Sequence, residues 1–182
     1  SVFLVGLPGS GKSTVGRQLA RRLGLSFVDS DHIIEERLGC SIRDFFDREG
    51  EVAFRDLEQA TVDELSLRPD TVLSTGGGTV LREANRHMLH SRGWVVYLKS
   101  NPVELFRRLR HDKTRPLLQV ADPLQKLKDL YQARDPLYRE VAHHVLETGR
   151  PTVSTLVNNI AMQLEQRALQ SPPQPLAGSH QA

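Results

Sequence analysis

Short apolar strands alternate with amphipathic helices along this chain. That alternation predicts a three-layer α/β/α fold around a central parallel sheet of about five strands. The 182 residues are enough for one domain with a sizeable core, and 38% of them are hydrophobic. Polar or glycine-rich segments directly follow three of the predicted strands, which is where ligands bind in such sheets. We therefore expect residues 1–170 to form one domain, followed by a disordered tail over 171–182.

The first half of the chain supplies three strands and the helices between them. Residues 2–5, "VFLV", are short and apolar, and apolar residues then recur every four positions from Lys12 to Leu23. Gly24 is expected to end this first helix. The remaining elements are a strand at "LSFVDSD", helices over 32–66 with breaks near 39–41 and 50, and a strand at "DTVLSTGGG".

The second half continues the alternation. A helix at about 82–91 and the strand "GWVVYLK" come first. A helix opened by Asn101 and Pro102 follows, since Asn caps helices and Pro suits their first turn. Another opens at residues 122–123 and reaches about Val141, although Pro136 is expected to halt the helix just after Arg134. The strand "HHVLET" and an amphipathic helix over 152–169 complete the pattern.

Composition narrows the function classes. A net charge of +2 gives no bulk signal for nucleic-acid binding, and no apolar run reaches the roughly 18 residues of a membrane span. "SVFLVGL" is too short for a signal peptide, although a lost upstream segment stays possible because the chain does not begin with Met. Cys40 is the only cysteine and suits a reducing cytoplasm. We expect a cytoplasmic monomer without nucleic-acid or membrane partners.

The segment "GLPGSGKST" satisfies the phosphate-loop pattern G-x-x-x-x-G-K-[ST]. It follows a strand and opens a helix, so its backbone N–H groups and the helix N-terminus would cradle phosphate oxygens. Lys12 would reach the β- and γ-phosphates, and Ser13 would ligate Mg²⁺. No N-K-x-D guanine motif occurs, which favours ATP. The candidate nucleotide-binding residues are Gly9, Ser10, Gly11, Lys12, Ser13 and Thr14.

Two carboxylates, Asp29 and Asp31, follow the second strand. At i and i+2 on a strand end they point to the same side. One could assist Mg²⁺ directly or through water, and the other could bind a hydroxyl and accept its proton. The alternative is that Asp31 only caps a helix beginning at His32.

Arg55 and Glu58 are three residues apart and therefore share one helix face. They could serve a ligand or form a surface ion pair, as could Glu51 and Arg55. The triplet Gly76, Gly77 and Gly78 would let the backbone approach a ligand closely, or it could be a loose turn.

Basic residues cluster in "RHDKTRPLL". A mobile lid over about 110–122, with an arginine that meets the transferring phosphoryl group, has this composition, as does a solvated basic loop. Arg134 could bind a ligand or pair with a helix dipole. The adenine contacts are weakly marked: Arg150 is one candidate, and Arg108 or Arg110 could flank the base.

Taken together, these pieces resemble the shikimate kinases. The resemblance covers the chain to about residue 148 and rests on six motifs in family order. They are "GLPGSGKST", "DSD", "FRDLE", "TGGGT", "TRPLL" and "RDPLY". The phosphate loop is a broad signal, whereas the other five do not belong to phosphate-loop proteins in general.

The resemblance implies a P-loop fold like that of the nucleoside-monophosphate kinases, and transfer of the γ-phosphate of ATP to the 3-hydroxyl of shikimate. It makes Asp31, Lys12 and Arg115 the catalytic set, with Arg115 in the lid. Arg55 and Arg134 would clamp the substrate carboxylate, and Glu58 would hold Arg55. We expect a substrate-binding helical region over about 31–60. The substrate contacts that follow are Asp31, Arg55, Gly76, Gly77, Gly78 and Arg134. The implied nucleotide contact outside the loop is Arg115, to which we add the weakly marked candidates Arg108 and Arg150. The implied magnesium residues are Ser13 and, through water, Asp29.

Two other readings stay open from the residues. One is a kinase for another small hydroxy acid, such as gluconate, or for a nucleoside monophosphate. The other is a catalytically silent nucleotide-binding module on the same fold. Two arginines and an aspartate favour a carboxylated polyol over a nucleobase, because the planar guanidinium fork matches a carboxylate.

Overall fold

Five parallel strands form the sheet that the sequence predicts. The computed structural model describes residues 1–110 and 120–170, so most of the predicted lid and the whole predicted tail lie outside it. The strand order is β2-β3-β1-β4-β5, and every neighbouring pair is parallel. The strands are β1 (Val2–Val5), β2 (Ser26–Asp29), β3 (Thr71–Ser74), β4 (Trp94–Lys99) and β5 (His144–Glu147).

Eight α-helices and one short 3₁₀ turn connect these strands in the described part of the chain. Within the predicted helical region 31–60, the breaks at Gly39 and Gly50 occur as expected. The helices are α1 (Lys12–Leu23), α2 (Ser30–Leu38), α3 (Ile42–Glu49), α4 (Glu51–Ser66), α5 (Glu83–Arg92), α6 (Pro102–Leu109), α7 (Pro123–Val141) and α8 (Val153–Gln170). The 3₁₀ turn (Thr79–Leu81) directly follows the glycine triplet and was not predicted.

Local signals set most helix ends. Gly24 ends α1 with a φ of 69°, in the left-handed region that glycine enters at little cost. Asn101 caps α6 and Asp122 caps α7, each through its side chain. The expectation that Pro136 halts a helix after Arg134 is wrong, because α7 continues through Pro136 to Val141. Packing against the sheet and neighbouring helices compensates for the one backbone hydrogen bond that proline removes.

The core lies on both faces of the sheet, as a buried parallel sheet requires. Alternate residues of β1 point to opposite faces: Phe3 and Val5 join one hydrophobic cluster, and Val2 and Leu4 join the other. The first cluster is closed by α4, α5, α6 and α7, and the second by α1 and α8. The sheet therefore has a helix layer on each side.

The carboxyl ends of β1 and β3 are neighbours, which places the loops that follow them side by side. Leu4 is in register with Ser74 across the two strands. Thr75 then donates two hydrogen bonds to the Leu4 carbonyl, at 3.2 Å from its backbone nitrogen and 2.8 Å from its hydroxyl. These bonds fasten the start of the loop after β3 to β1, so the glycine triplet and the phosphate loop begin at neighbouring positions.

Within residues 1–110 and 120–170, every helix is too short or too polar to cross a bilayer.

Candidate active site

The loop between β1 and α1 is built to surround an anion. Gly9 and Gly11 have φ values of 81° and 95°, so two turns of the loop need glycine. The ammonium of Lys12 is buried and donates to the carbonyls of Gly6 and Leu7, at 2.9 Å each. The Ser10 hydroxyl is also buried, and it has no hydrogen-bond partner among the described residues. Because a buried hydroxyl without a partner is costly, Ser10 fits a loop that closes around a ligand.

A cavity of about 500 Å³ opens beside this loop. That volume suits a small-molecule ligand site. Its walls join the ends of β1, β2 and β3, which is the edge of the sheet where the sequence places the site. Among its lining residues are Gly9, Gly11, Lys12, Ser13, Thr14, Asp29, Asp31, Gly77 and Arg108.

The two carboxylates after β2 have different positions. Asp29, at the end of β2, caps α2: its Oδ1 accepts from the backbone N–H groups of Asp31 and His32, at 3.0 and 3.2 Å. Its other oxygen, Oδ2, accepts from the Ser13 hydroxyl at 2.6 Å. The alternative that Asp31 caps the helix is therefore wrong, since α2 begins at Ser30 and its N-cap residue is Asp29.

Asp31 lies in the first turn of α2 and lines the cavity. Its pKa is raised to about 7, chiefly because burial disfavours the charged carboxylate. The negative charges of Glu58 and Asp29 raise the pKa further, and Lys12 opposes the shift. A carboxylate with a pKa near neutrality is well matched to accepting a proton at physiological pH.

Each glycine of the triplet lies against a different predicted site residue, which fills the space that a side chain on that glycine would need. A methyl group on Gly76 would lie 2.6 Å from Asp31 Oδ1, and one on Gly78 would lie 2.5 Å from Arg55 Nη2. A methyl on Gly77 would lie 3.3 Å from Arg134 Nη1 and 2.7 Å from Pro8 of the phosphate loop. Since consecutive Cα atoms are about 3.8 Å apart, these three side chains converge within one short stretch of backbone.

Arg55 is held by buried partners. Its Nη1 donates to Glu58 Oε1 at 2.8 Å, and only 14% of the Arg55 side chain and 2% of the Glu58 side chain are exposed. The second oxygen of Glu58 accepts from the Thr79 hydroxyl at 3.1 Å. The surface ion-pair interpretation of Arg55 and Glu58 is therefore wrong, whereas Glu51, 61% exposed and 3.8 Å away, remains a surface neighbour.

The structure adds a contact that the sequence did not reveal. The Tyr138 hydroxyl donates to the Gly77 carbonyl at 2.6 Å, and the Tyr138 ring lies 4.9 Å from that of Tyr97. Tyr97 in turn donates to Asp135 at 2.8 Å. Tyr138 is the last letter of "RDPLY", four residues after Arg134, and that spacing on one helix face was the available signal.

The candidate adenine residues separate in space. Arg108 lines the main cavity and donates to the Gly9 carbonyl at 2.7 Å, whereas Arg110 is exposed and is not among the residues that line the cavity. Arg108 also borders a smaller cavity beside Thr148 and Gly149. Arg150 lines a different cavity, of about 440 Å³, which it shares with Lys99 and Glu147. Arg115 and Lys113 lie outside the described residues.

A phosphate loop next to a buried carboxylate and two convergent arginines defines a P-loop phosphotransferase that acts on small molecules. The model of the family "Shikimate kinase" matches residues 8–165. The chain is 60% identical to a shikimate kinase of Paracidovorax citrulli, over 94% of this chain and 96% of the relative. It is 56% identical to one of Ralstonia nicotianae, over 95% and 91% of the two chains.

Solved structures agree with these relatives. A shikimate kinase from Acinetobacter baumannii, determined in complex with shikimate, superimposes with a TM-score of 0.87 at 47% identity. The match covers 92% of this chain and 94% of that one. The chain belongs to the shikimate kinase family, whose members use ATP as a substrate. The family and fold predicted from the sequence are therefore confirmed.

Proposed function

We propose that this chain transfers the γ-phosphate of ATP to the 3-hydroxyl of shikimate, giving shikimate 3-phosphate and ADP. The observation that carries the proposal is the convergence of Asp31, Arg134 and Arg55 on three consecutive glycines beside the phosphate loop. That arrangement offers one proton acceptor and two guanidinium groups to a single small acid. Two relatives of this chain, 60% and 56% identical to it over nearly its whole length, are shikimate kinases.

The arginines would recognise the carboxylate of the acid. A guanidinium group can donate two parallel hydrogen bonds to a carboxylate, and Arg55 and Arg134 approach the triplet from different helices, α4 and α7. Two such groups fix both the position and the rotation of a small ring. The hydroxyl that faces the phosphate loop is then determined by geometry, which is most of what phosphoryl transfer requires.

Asp31 would orient the acceptor hydroxyl and take its proton. In the transfer step, the hydroxyl oxygen bonds to the γ-phosphorus, the bond from that phosphorus to the β,γ-bridging oxygen breaks, and the electron pair leaves with ADP. The hydroxyl proton passes to Asp31, whose raised pKa makes it an adequate acceptor. Lys12 would stay with the phosphates and neutralise the charge that develops there. Arg115 is proposed to help from the lid.

Magnesium is proposed on the side of Ser13 and Asp29. Mg²⁺ usually binds through one or two protein oxygens plus substrate phosphates and waters, so a larger acidic cluster is not needed. Ser13 Oγ and Asp29 Oδ2, 2.6 Å apart, are suitable oxygens, and Ser74 Oγ lies 3.5 Å from Ser13. When bound, the ion would neutralise charge on the transferring phosphate. Within residues 1–110 and 120–170, no three His, Cys, Asp or Glu side chains are grouped so that they could hold a metal ion.

For the nucleotide base we propose Arg108, because it borders both the phosphate cavity and the smaller cavity beside Thr148. Arg150 is proposed as a more distant contact. We also propose that the protein acts as a cytoplasmic monomer, in keeping with the unpaired thiol of Cys40.

A coupled ADP-release assay with a panel of acceptors tests the proposal. We expect turnover with shikimate and little with gluconate or nucleoside monophosphates, and the product should carry its phosphate on the 3-hydroxyl by phosphorus NMR. Reactions without acceptor give the background hydrolysis. Turnover on gluconate or a monophosphate but not on shikimate would replace the substrate. ATP binding without transfer to any acceptor would favour the silent nucleotide-binding module.

A further inference from the structure

A second layer of contacts holds the glycine triplet in place, and Tyr138 is its central residue. The Tyr138 side chain is fully buried, and its hydroxyl donates to the Gly77 carbonyl at 2.6 Å. Burial raises the pKa of this hydroxyl to about 12, partly offset by the nearby charge of Arg134. The group therefore stays protonated at neutral pH and remains a donor.

Gly77 occupies the point where the two halves of the site meet. A methyl group on it would lie 2.7 Å from Pro8 of the phosphate loop and 3.3 Å from Arg134. Its neighbours Gly76 and Gly78 lie against Asp31 and Arg55 in the same way. A small rotation of the peptide at Gly77 would therefore move backbone against several site groups at once.

The hydrogen bond from Tyr138 also fixes the peptide that joins Gly77 to Gly78. In a trans peptide the C=O of one residue and the N–H of the next point in opposite directions. Holding the Gly77 carbonyl against α7 therefore directs the Gly78 N–H away from α7. The Tyr138 hydroxyl on α7 therefore sets the direction of the Gly78 N–H, which lies beside Arg55 of α4.

We infer that Tyr138 is a positioning residue for the acid substrate: through the Gly77 carbonyl it fixes the triplet between the phosphate loop and the two arginines. The identity of the acid, shikimate, is taken from the proposed function, on which this part of the inference rests. Tyr138 acts through the Gly77 backbone and through its hydrogen-bonding contact with the Arg134 side chain, and it does not itself take part in transfer. Arg134 and Tyr138 share one face of α7. The same helix therefore supplies a proposed substrate contact and the hydrogen bond that holds the Gly77 carbonyl.

The chain offers a matched control in Tyr97. Both tyrosines are fully buried, their rings are in contact, and each donates one hydroxyl hydrogen bond. The difference is the acceptor: Tyr97 donates to the Asp135 side chain of α7, and Tyr138 donates to the Gly77 carbonyl of the triplet. Tyr97→Phe therefore removes the same group without releasing Gly77.

The experiment compares Tyr138→Phe, Tyr97→Phe and the parent enzyme. Both variants keep the ring, so we expect both to fold with similar small losses in melting temperature. Tyr138→Phe should raise the KM for shikimate about fivefold to twentyfold, since one buried carbonyl loses its partner, while the KM for ATP changes less than twofold. Amide hydrogen exchange in segment 76–79 should accelerate in Tyr138→Phe and not in Tyr97→Phe.

Equal KM changes in the two variants, or unchanged exchange in segment 76–79, would overturn the positioning role. Turnover of shikimate by the parent enzyme tests the proposed function separately. The exchange comparison does not depend on which acid is the substrate, so the two ideas can fail independently.

Discussion

The two ends of the site are constructed in different ways. The phosphate end is one contiguous loop, Gly6–Ser13, in which backbone conformation and one lysine do most of the work. The acceptor end combines side chains from α2, α4 and α7 with a backbone loop after β3. The sheet and direct contacts between these segments, such as those of Glu58 with Thr79 and of Tyr138 with Gly77, bring them together in the fold.

This difference explains how each end can fail. The phosphate end depends on glycine geometry and on the position of one helix terminus, which many proteins share. The acceptor end depends on the chemistry of a few side chains, and we propose that these side chains select the substrate. Substitutions at the acceptor end should therefore alter the parameters for the acid and leave those for ATP nearly unchanged.

The largest expected effect is that of Asp31→Asn. The amide keeps the shape of the side chain but cannot take a proton, so kcat should fall about 10³-fold, within the usual range for a lost general base. Steady-state kinetics at saturating ATP and shikimate would measure it, and calorimetry with ADP should show normal nucleotide binding. A loss of less than tenfold would return Asp31 to a structural role.

The next effect tests the phosphate end through Asp29→Asn. Asparagine caps helices as well as aspartate does, so α2 should be retained. Loss of the charge near Ser13 should raise the Mg²⁺ concentration needed for half-maximal activity about 10–100-fold. A magnesium titration at fixed ATP and acid would measure this change. An unchanged requirement together with a lower melting temperature would mean that Asp29 serves only as the cap.

Arg55→Lys should affect the acceptor end alone. Lysine keeps the charge but loses the planar fork, so the KM for shikimate should rise about 10–50-fold while the KM for ATP stays within twofold. Arg37→Lys is the matched control, because Arg37 donates two hydrogen bonds of 2.8 Å to the exposed Glu64 carboxylate and does not line the main cavity. Parallel losses in both KM values would show that Arg55 supports the fold rather than the substrate.

The smallest effect concerns stability and pH. The pKa of Asp31 is about 7 when folded and near 3.8 when unfolded, so the native state binds the proton more tightly between these values. The stability that this proton supplies is complete below about pH 4 and is lost as the pH rises through 7. Asp31→Asn should therefore melt at least about 3 °C above the parent at pH 8, and the gap should shrink toward pH 4.

Thermal melts at pH 4, 6 and 8 without ligands would test this sign. If Asp31→Asn were less stable than the parent at pH 8, the claim that the buried charge of Asp31 destabilises the fold would be contradicted.

The sequence predicted more of the phosphate end than of the acceptor end. Lys12, Ser13 and the glycines of the loop lie in one short pattern whose spacing implies its geometry. At the acceptor end, the sequence supplied Asp31, Arg55 and Arg134 with competing structural interpretations, and only tertiary contacts removed two of them. Asp29 proved to be the helix cap, and Glu58 proved to be buried between Arg55 and Thr79.

The strands, their order of appearance and most helix ends were also predictable, since apolar periodicity, caps and glycines are local signals. The end of α7 near Val141 was predicted correctly, but its unbroken run through Pro136 was not, because burial of Tyr138 and Val141 offsets the local cost of proline. Tyr138 was missed for a related reason. Its spacing from Arg134 places it on the same helix face, but no local signal shows that its hydroxyl reaches a backbone carbonyl 61 positions earlier in the chain.

The pairing of β1 with β3 has a consequence for how such an enzyme can diversify. Thr75 fastens the start of the loop after β3 to Leu4 of β1, the strand that leads into the phosphate loop. The spacing between the proposed ATP and acid sites therefore comes from the sheet and not from the residues that select the acid. Mutations in α2, α4 or α7 can change which hydroxy acid is accepted while that spacing persists. New specificities can thus arise in descendants of this fold without the transfer distance having to be evolved again.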